Sequence, residues 1–153
     1  MARTITITSG KGGVGKTNLS ANLSVQLASQ GQRTCIFDAD LGLANINILF
    51  GIYPEKTIED VILGDATLGQ VIIKNHHGID IIPGSSGVEK IANSEPQQIE
   101  QLIKSFAALN AYDFLFFDTS AGVSRNVVSF CLASSEIILV ITPEPTALTD
   151  AYA

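Results

Sequence analysis

The residues here whose types and spacing can do chemistry are an eight-residue stretch, Gly10-Lys11-Gly12-Gly13-Val14-Gly15-Lys16-Thr17, and three aspartates beyond it. The stretch fits G-x-x-x-x-G-K-[ST], a loop whose glycines let successive backbone N–H groups curl around phosphate oxygens. A helix starting directly after it adds the partial positive charge of its N-terminus. In such a loop Lys16 reaches the β- and γ-phosphates of a nucleotide, and the Thr17 hydroxyl ligates Mg2+. The expected nucleotide-binding set is Gly10, Gly12, Gly13, Val14, Gly15, Lys16, Thr17 and Asn18, and Lys11 reads as a second phosphate-binding cation.

Asp118 closes the apolar run Phe114-Leu115-Phe116-Phe117, the pattern of a strand-end acid that holds Mg2+, usually through water. Asp38-Ala39-Asp40 places two carboxylates at the end of the strand after the loop's helix, the edge where open α/β sheets bind ligands. Side chains two apart on an extended segment point the same way, so both are expected to face the phosphates. The plainer readings are a turn-capping Asp118, a solvated acidic loop and a solvated Lys11. A sharper competitor is G-x-G-x-x-G through Gly10, Gly12 and Gly15, with Asp38 as a ribose-binding acid. Lys16-Thr17 and two further strand-end acids are superfluous to a pyrophosphate-only site and weigh against it. His76 and His77 read as turn residues.

The surrounding pattern supplies the elements that position these groups. Thr4–Thr8 reads as a strand leading into the loop, and Thr17–Gln30 as a helix with Leu19, Leu23, Leu27 and Ala28 on one stripe and Gly31 as its stop. Thr34–Phe37 is the next strand, completing a βαβ unit with a right-handed crossover. Short helices are expected at Leu41–Phe50, closed by Gly51 and Pro54, and at Thr57–Leu63, capped by Thr57 with Asp60 three residues on. Val71–Ile73 and Ile79–Ile82 flank a Gly-containing turn and suggest a hairpin. Pro96–Leu109 is a helix, Phe114–Phe117 a strand, Arg125–Ala133 a helix and Ile137–Ile141 a strand. Thr146 opens a last helix without a C-cap signal, from which the natural domain is expected to continue beyond residue 153. The fold expected for residues 1–153 is one α/β P-loop domain: a doubly wound, mostly parallel sheet, helices on both faces, and one antiparallel hairpin strand.

Composition narrows the partners. Nine Lys and Arg against fifteen Asp and Glu give a net charge of −6. With the basic residues scattered in no run, this argues against the clustered cations that hold nucleic acid. The apolar runs are of strand length, well short of the roughly 20 residues of a membrane span. Continuous short runs of this kind are typical of parallel strands covered on both faces. Cys35 and Cys131 lie far apart in apolar segments and read as reduced core residues of a cytoplasmic protein. The strand pattern starts almost at once, so no signal peptide is expected.

Lys11-Gly12-Gly13-Val14-Gly15-Lys16-Thr17 resembles the deviant Walker A signature of the MinD/ParA ATPases, and Phe37-Asp38-Ala39-Asp40-Leu41-Gly42-Leu43-Ala44-Asn45 is similar to that family's second motif. The resemblance runs along essentially the whole chain. It implies a Mg2+-dependent ATPase that forms a homodimer on ATP. Lys11 would cross the interface to the partner's nucleotide, Asp40 would orient the attacking water, and Asp38 would act near the metal with Thr17 and Asp118. Asp118-Thr119-Ser120-Ala121-Gly122 lacks the proline usual at the third position in MinD itself. Val123-Ser124-Arg125, Val128-Ser129-Phe130 and Thr142 to Tyr152 resemble instead the flagellar-number regulators FlhG and FleN. That likeness implies control of flagellar number or placement, with a flagellar GTPase or regulator as protein partner. The extension used on that GTPase and the amphipathic membrane helix are missing from this sequence, and most adenine-contacting segments are expected beyond Ala153. Membrane-surface binding is thus implied for the full-length protein only.

Other readings are division-site placement of the MinD type, a redox protein like the nitrogenase iron protein, and a nucleotide-binding scaffold without hydrolysis. The redox reading needs two cysteines presented together at a dimer interface, and Cys35 and Cys131 sit inside a strand and a helix. Asp40 and Asp118 argue against the scaffold.

Overall fold

The computed structural model describes residues 2–85, 96–107 and 109–152. Its elements in chain order are β1 (Arg3–Ser9), α1 (Lys16–Ser29), β2 (Thr34–Ala39), α2 (Ile46–Phe50), α3 (Ile58–Leu63), α4 (Leu68–Val71), β3 (Ile73–His76), β4 (Ile79–Ile82), α5 (Pro96–Phe106), β5 (Phe114–Ala121), α6 (Arg125–Ala133), β6 (Glu136–Leu139) and α7 (Pro145–Tyr152). The strands form one sheet in the order β3-β4-β2-β5-β1-β6. Every pairing is parallel except β3 with β4, the expected hairpin. β5 enters between β1 and β2, which places the carboxyl ends of these three strands side by side.

Alternation along the strands fills both faces. Phe37, Leu115 and Phe117 point to one side, against α5 and α6. There the rings of Phe37, Phe106, Phe117 and Phe130 pack with centroids 4.9 to 6.1 Å apart. Ile5, Ile7, Ile36 and Phe116 point to the other side, where Leu19, Leu23 and Leu27 of α1 pack on them. The residues of α1 that come closest to the sheet are small. Ser20, Ala21 and Ser24 are buried, while the leucine stripe is half-buried beside them.

Several boundaries depart from the sequence pattern. The helix expected over Leu41–Phe50 forms only at Ile46–Phe50, because residues 41–45 make a loop whose amides bond the carboxylates of Asp38 and Asp40. The strand expected at Val71–Ile73 begins at Ile73, since Thr67 and Gln70 make a capping box that turns Leu68–Val71 into a helix and buries Val71. α5 stops at Phe106 rather than Leu109, β5 runs through Asp118 to Ala121, and β6 covers Glu136–Leu139. The box at Thr57 and Asp60 forms as expected. His76 ends β3 with Nε2 3.2 Å from the Phe50 carbonyl oxygen, and His77 and Gly78 make the hairpin turn with positive φ. Along β6 and α6, Val128, Leu132, Ile137 and Leu139 are exposed, Leu132 by 83%. Among the described residues no helix is long and apolar enough to cross a membrane.

Candidate nucleotide site

A cleft of about 480 Å³ opens at the carboxyl ends of β1, β2 and β5. Gly12, Gly13, Gly15, Lys16, Thr17 and Asn18 line one side, Asp40 and Asn45 another, and Thr119 and Ala121 of β5 its floor. Gly13 and Gly15 have φ of 75° and 97°, a left-handed backbone that side-chain-bearing residues adopt only at a cost. Gly15 is the N-cap of α1 and supplies no side-chain acceptor, and the helix has no acid in its first turn. The first N–H groups of α1 thus face the cleft without a side-chain cap, a ready anion site.

Lys16 is buried, and its Nζ donates to Ser9 Oγ at 2.7 Å, while Ser9 Oγ donates to the Lys11 carbonyl at 2.6 Å. Burial pushes the Lys16 ammonium below its usual range, and the charges of Asp118 and Asp40 act in the opposite direction. Asp118 pairs in register with Ile7 of β1 and Asp38 of β2, central in the sheet. Burial raises its carboxyl pKa; the hydroxyls of Thr17 and Ser20 and the charge of Lys16 lower it. Ser20 Oγ lies 2.8 Å from Asp118 Oδ1. The Ser20 hydroxyl thus holds the carboxylate against the helix that carries the loop.

Asp40 reaches the cleft, and its Oδ1 accepts from the amides of Gly42 and Leu43 at 3.4 and 3.2 Å. Asp38 does not. It is fully buried; Oδ1 accepts from Asp40 N at 3.2 Å, and Oδ2 from Asn45 N and Ile46 N at 2.7 and 2.9 Å. Burial pushes its carboxyl up to about 7, with the amide bonds opposing and the charge of Asp118 adding. Of the two carboxylates expected to face the phosphates, Asp40 lines the cleft and Asp38 does not, because the loop leading to α2 folds back onto Asp38.

Lys11, Gly10 and Val14 do not line the cleft. Lys11 turns outward to an ion pair with Glu144, just beyond β6. Gly10 is required for another reason than phosphate contact: a Cβ there would stand 2.3 Å from the backbone of Asp150, where α7 crosses the loop. Ser9, Ser20 and Glu144 are absent from the motif reading. Ser20 and Ser24 left a trace in the sequence, as two hydroxyls four residues apart on a helix face that otherwise asks for apolar residues.

The donors fit Mg2+ better than a softer ion. Thr17 and Asp118 supply one hydroxyl and one carboxylate, and Mg2+ keeps most of its waters and takes few protein ligands beside phosphates. Among the described residues no three of His, Cys, Asp and Glu gather into a metal centre of their own. Cys35 is buried within β2, where burial pushes its thiol far up, and Cys131 sits in α6; both are free thiols.

The sequence profile of a family described as an AAA domain matches residues 2–151. The antiactivator FleN of Pseudomonas aeruginosa is 45% identical over 150 residues, covering 97% of this chain and 54% of FleN. The flagellum site-determining protein YlxH of Helicobacter pylori is 41% identical, covering 97% of this chain and 51% of YlxH. The chain thus spans about half the length of these curated relatives. Among solved structures, the septum site-determining protein MinD of Pyrococcus horikoshii, complexed with Mg-ADP, matches with a TM-score of 0.86 at 38% identity, covering 99% of this chain and 62% of the other.

Proposed function

The chain belongs to the MinD/ParA family of P-loop ATPases, close to FlhG and FleN, and from that premise we propose that it forms the phosphate-binding part of a Mg2+-dependent ATPase that switches between monomer and ATP-bound dimer. One observation carries the reading: the uncapped N-terminus of α1, the left-handed glycines, Lys16, Thr17 and Asp40 all meet in one cleft, with Asp118 held beside it by Ser20.

In this reading Gly12, Gly13, Gly15 and Asn18 hold phosphate oxygens, and the Lys16 ammonium leaves Ser9 for the β- and γ-phosphates. Mg2+, held by Thr17 and, through water, by Asp118, would supply charge neutralisation between the phosphates. Asp40 orients the attacking water; two loop amides already fix one of its oxygens. Asp38 acts on the site through the loop that carries Asp40. Phosphoryl transfer asks little covalent chemistry of the protein, so position and charge are its whole contribution.

Lys11 is assigned to the partner's nucleotide. Its own cleft is already served by Lys16, and its side chain is turned away from that cleft. A trans cation of this kind contributes roughly 10³–10⁵ in rate. The test mixes full-length Lys11→Ala and Asp40→Ala proteins, each inactive alone. A trans lysine restores activity, since the Lys11→Ala subunit keeps Asp40 and borrows its partner's Lys11. Mixed dimers that form and stay inactive refute the assignment.

The biological role proposed is control of flagellar number or placement, supported by the names of FleN and YlxH. Protein partners, and a membrane surface for the full-length cytoplasmic protein, belong to the same proposal. Deleting the gene and counting flagella by electron microscopy tests it; unchanged number and position would refute it.

A further inference from the structure

We propose that Ser20 is a positioning residue for Asp118, holding this carboxylate in the orientation from which it serves the divalent metal; the inference rests on the ATPase reading and deepens it. Ser20 lies outside the loop motif and does not line the cleft. Its side chain is fully buried between α1 and β5, with Oγ 2.8 Å from Asp118 Oδ1, 2.7 Å from the Lys16 carbonyl and 3.4 Å from the Thr17 carbonyl.

A hydroxyl has a single hydrogen, and here two near acceptors compete for it. A buried helical serine ordinarily bonds back to the carbonyl four residues earlier. Ser24 does this, giving its hydrogen to the Ser20 carbonyl at 2.7 Å. Ser20 has a charged alternative, and a hydrogen bond to a carboxylate is about twice as strong as one to a neutral carbonyl. Its hydrogen therefore goes to Asp118 whenever the carboxylate carries its full charge. In the ATPase reading the Thr17 hydroxyl, which lines the cleft, is the one the metal would take. Ser20 is the donor with no ligand duty. It fixes Oδ1 against α1 and would leave Oδ2 to serve the metal's waters.

The experiment compares full-length wild type, Ser20→Ala and Ser24→Ala. Ser24 is equally buried on the same helix face and touches no carboxylate, so its variant measures the cost of losing a buried hydroxyl there. The readouts are the Mg2+ concentration for half-maximal ATP turnover and ATP affinity in chelator. Ser20→Ala should need roughly 10-fold more Mg2+, the low end for losing a group that orients a metal ligand. Its metal-free ATP affinity should match wild type, and Ser24→Ala should match wild type in both. A Ser20→Ala curve that overlays wild type, or an equal shift in Ser24→Ala, overturns the proposal. Should Ser20→Ala fail to fold, Ser20→Cys keeps the volume and a weaker donor and should shift the curve in the same direction. Wild type that turns over no ATP, or does so without regard to Mg2+, would instead remove the reading as a Mg2+-dependent ATPase, and this inference with it.

Discussion

Asp38 and Asp118 stand in register on neighbouring parallel strands, both buried, both at the edge where the phosphates are expected. They differ in who donates to them. Asp38 is bonded by backbone amides of its own downstream loop, at Asp40, Asn45 and Ile46, so it organises the chain that follows β2. Asp118 is bonded by a side-chain hydroxyl of α1, the helix that carries the phosphate loop, which ties it to the proposed metal site. A strand-end carboxylate is thus assigned its work by the element folded against it, and neither residue type nor burial separates the two cases.

The largest effect expected from this contrast is in metal dependence. Asp118→Asn should weaken Mg2+ by roughly 10–100-fold, read as the Mg2+ concentration for half-maximal turnover. Asp38→Asn should leave that concentration nearly unchanged and lower the maximal rate, because the Asp40 loop loses an amide acceptor. Equal shifts in both variants would break the distinction.

Next in size is the packing behind Asp38. A Cβ on Gly84 would lie 2.8 Å from the Asp38 carbonyl oxygen and 3.0 Å from its Cγ, whereas one on Gly12 meets only Ala121 Cβ, at 3.9 Å. Gly84→Ala should cost about 1–3 kcal/mol in denaturant unfolding, and Gly12→Ala much less. A silent Gly84→Ala would mean that the loop around Asp38 gives way easily.

The pH dependence follows from the raised pKa of Asp38. Its folded value is about 7, against about 3.9 for a free aspartate. Between these the folded chain holds a proton that the unfolded chain has released, so stability falls as pH rises through the window. Asp38→Asn removes this titration. Unfolding at pH 5 and pH 7.5 should show a shallower decline in the variant, and parallel behaviour would place the proton elsewhere.

The smallest effect concerns Lys11 and Glu144, an exposed pair outside the cleft. Glu144→Gln should change stability by less than about 1 kcal/mol, since such pairs are screened by water. A larger loss would give Glu144 a structural role beyond neutralising Lys11.

Much of the site was legible because it is local. The loop and its helix are adjacent in sequence, and Gly13 and Gly15 announce the left-handed backbone that only glycine adopts readily. Asp118 was legible as the end of an apolar strand. The capping box at Thr57 could be read from the chain, and the one at Thr67 and Gln70 escaped notice beside an apolar run that looked like a strand. The burial of Asp38 was not legible, because alternation places a side chain on a face of the sheet and says nothing of the loop that then covers it.

The sequence by itself determined the strand–loop–helix, the acids at the strand ends and the doubly wound alternation, because each is written within a few residues by φ preference, period and adjacency. The tertiary structure alone decided the partners across long separations. Ser20 meets Asp118 98 residues away because β5 inserts beside β1, where α1 lies on it. Lys11 meets Glu144 133 residues away because β6 closes the other side of β1. Gly10 is held to glycine by the crossing of α7 over the loop. These meetings depend on strand order, which follows from how two covered faces pack together and not from any short stretch of residues.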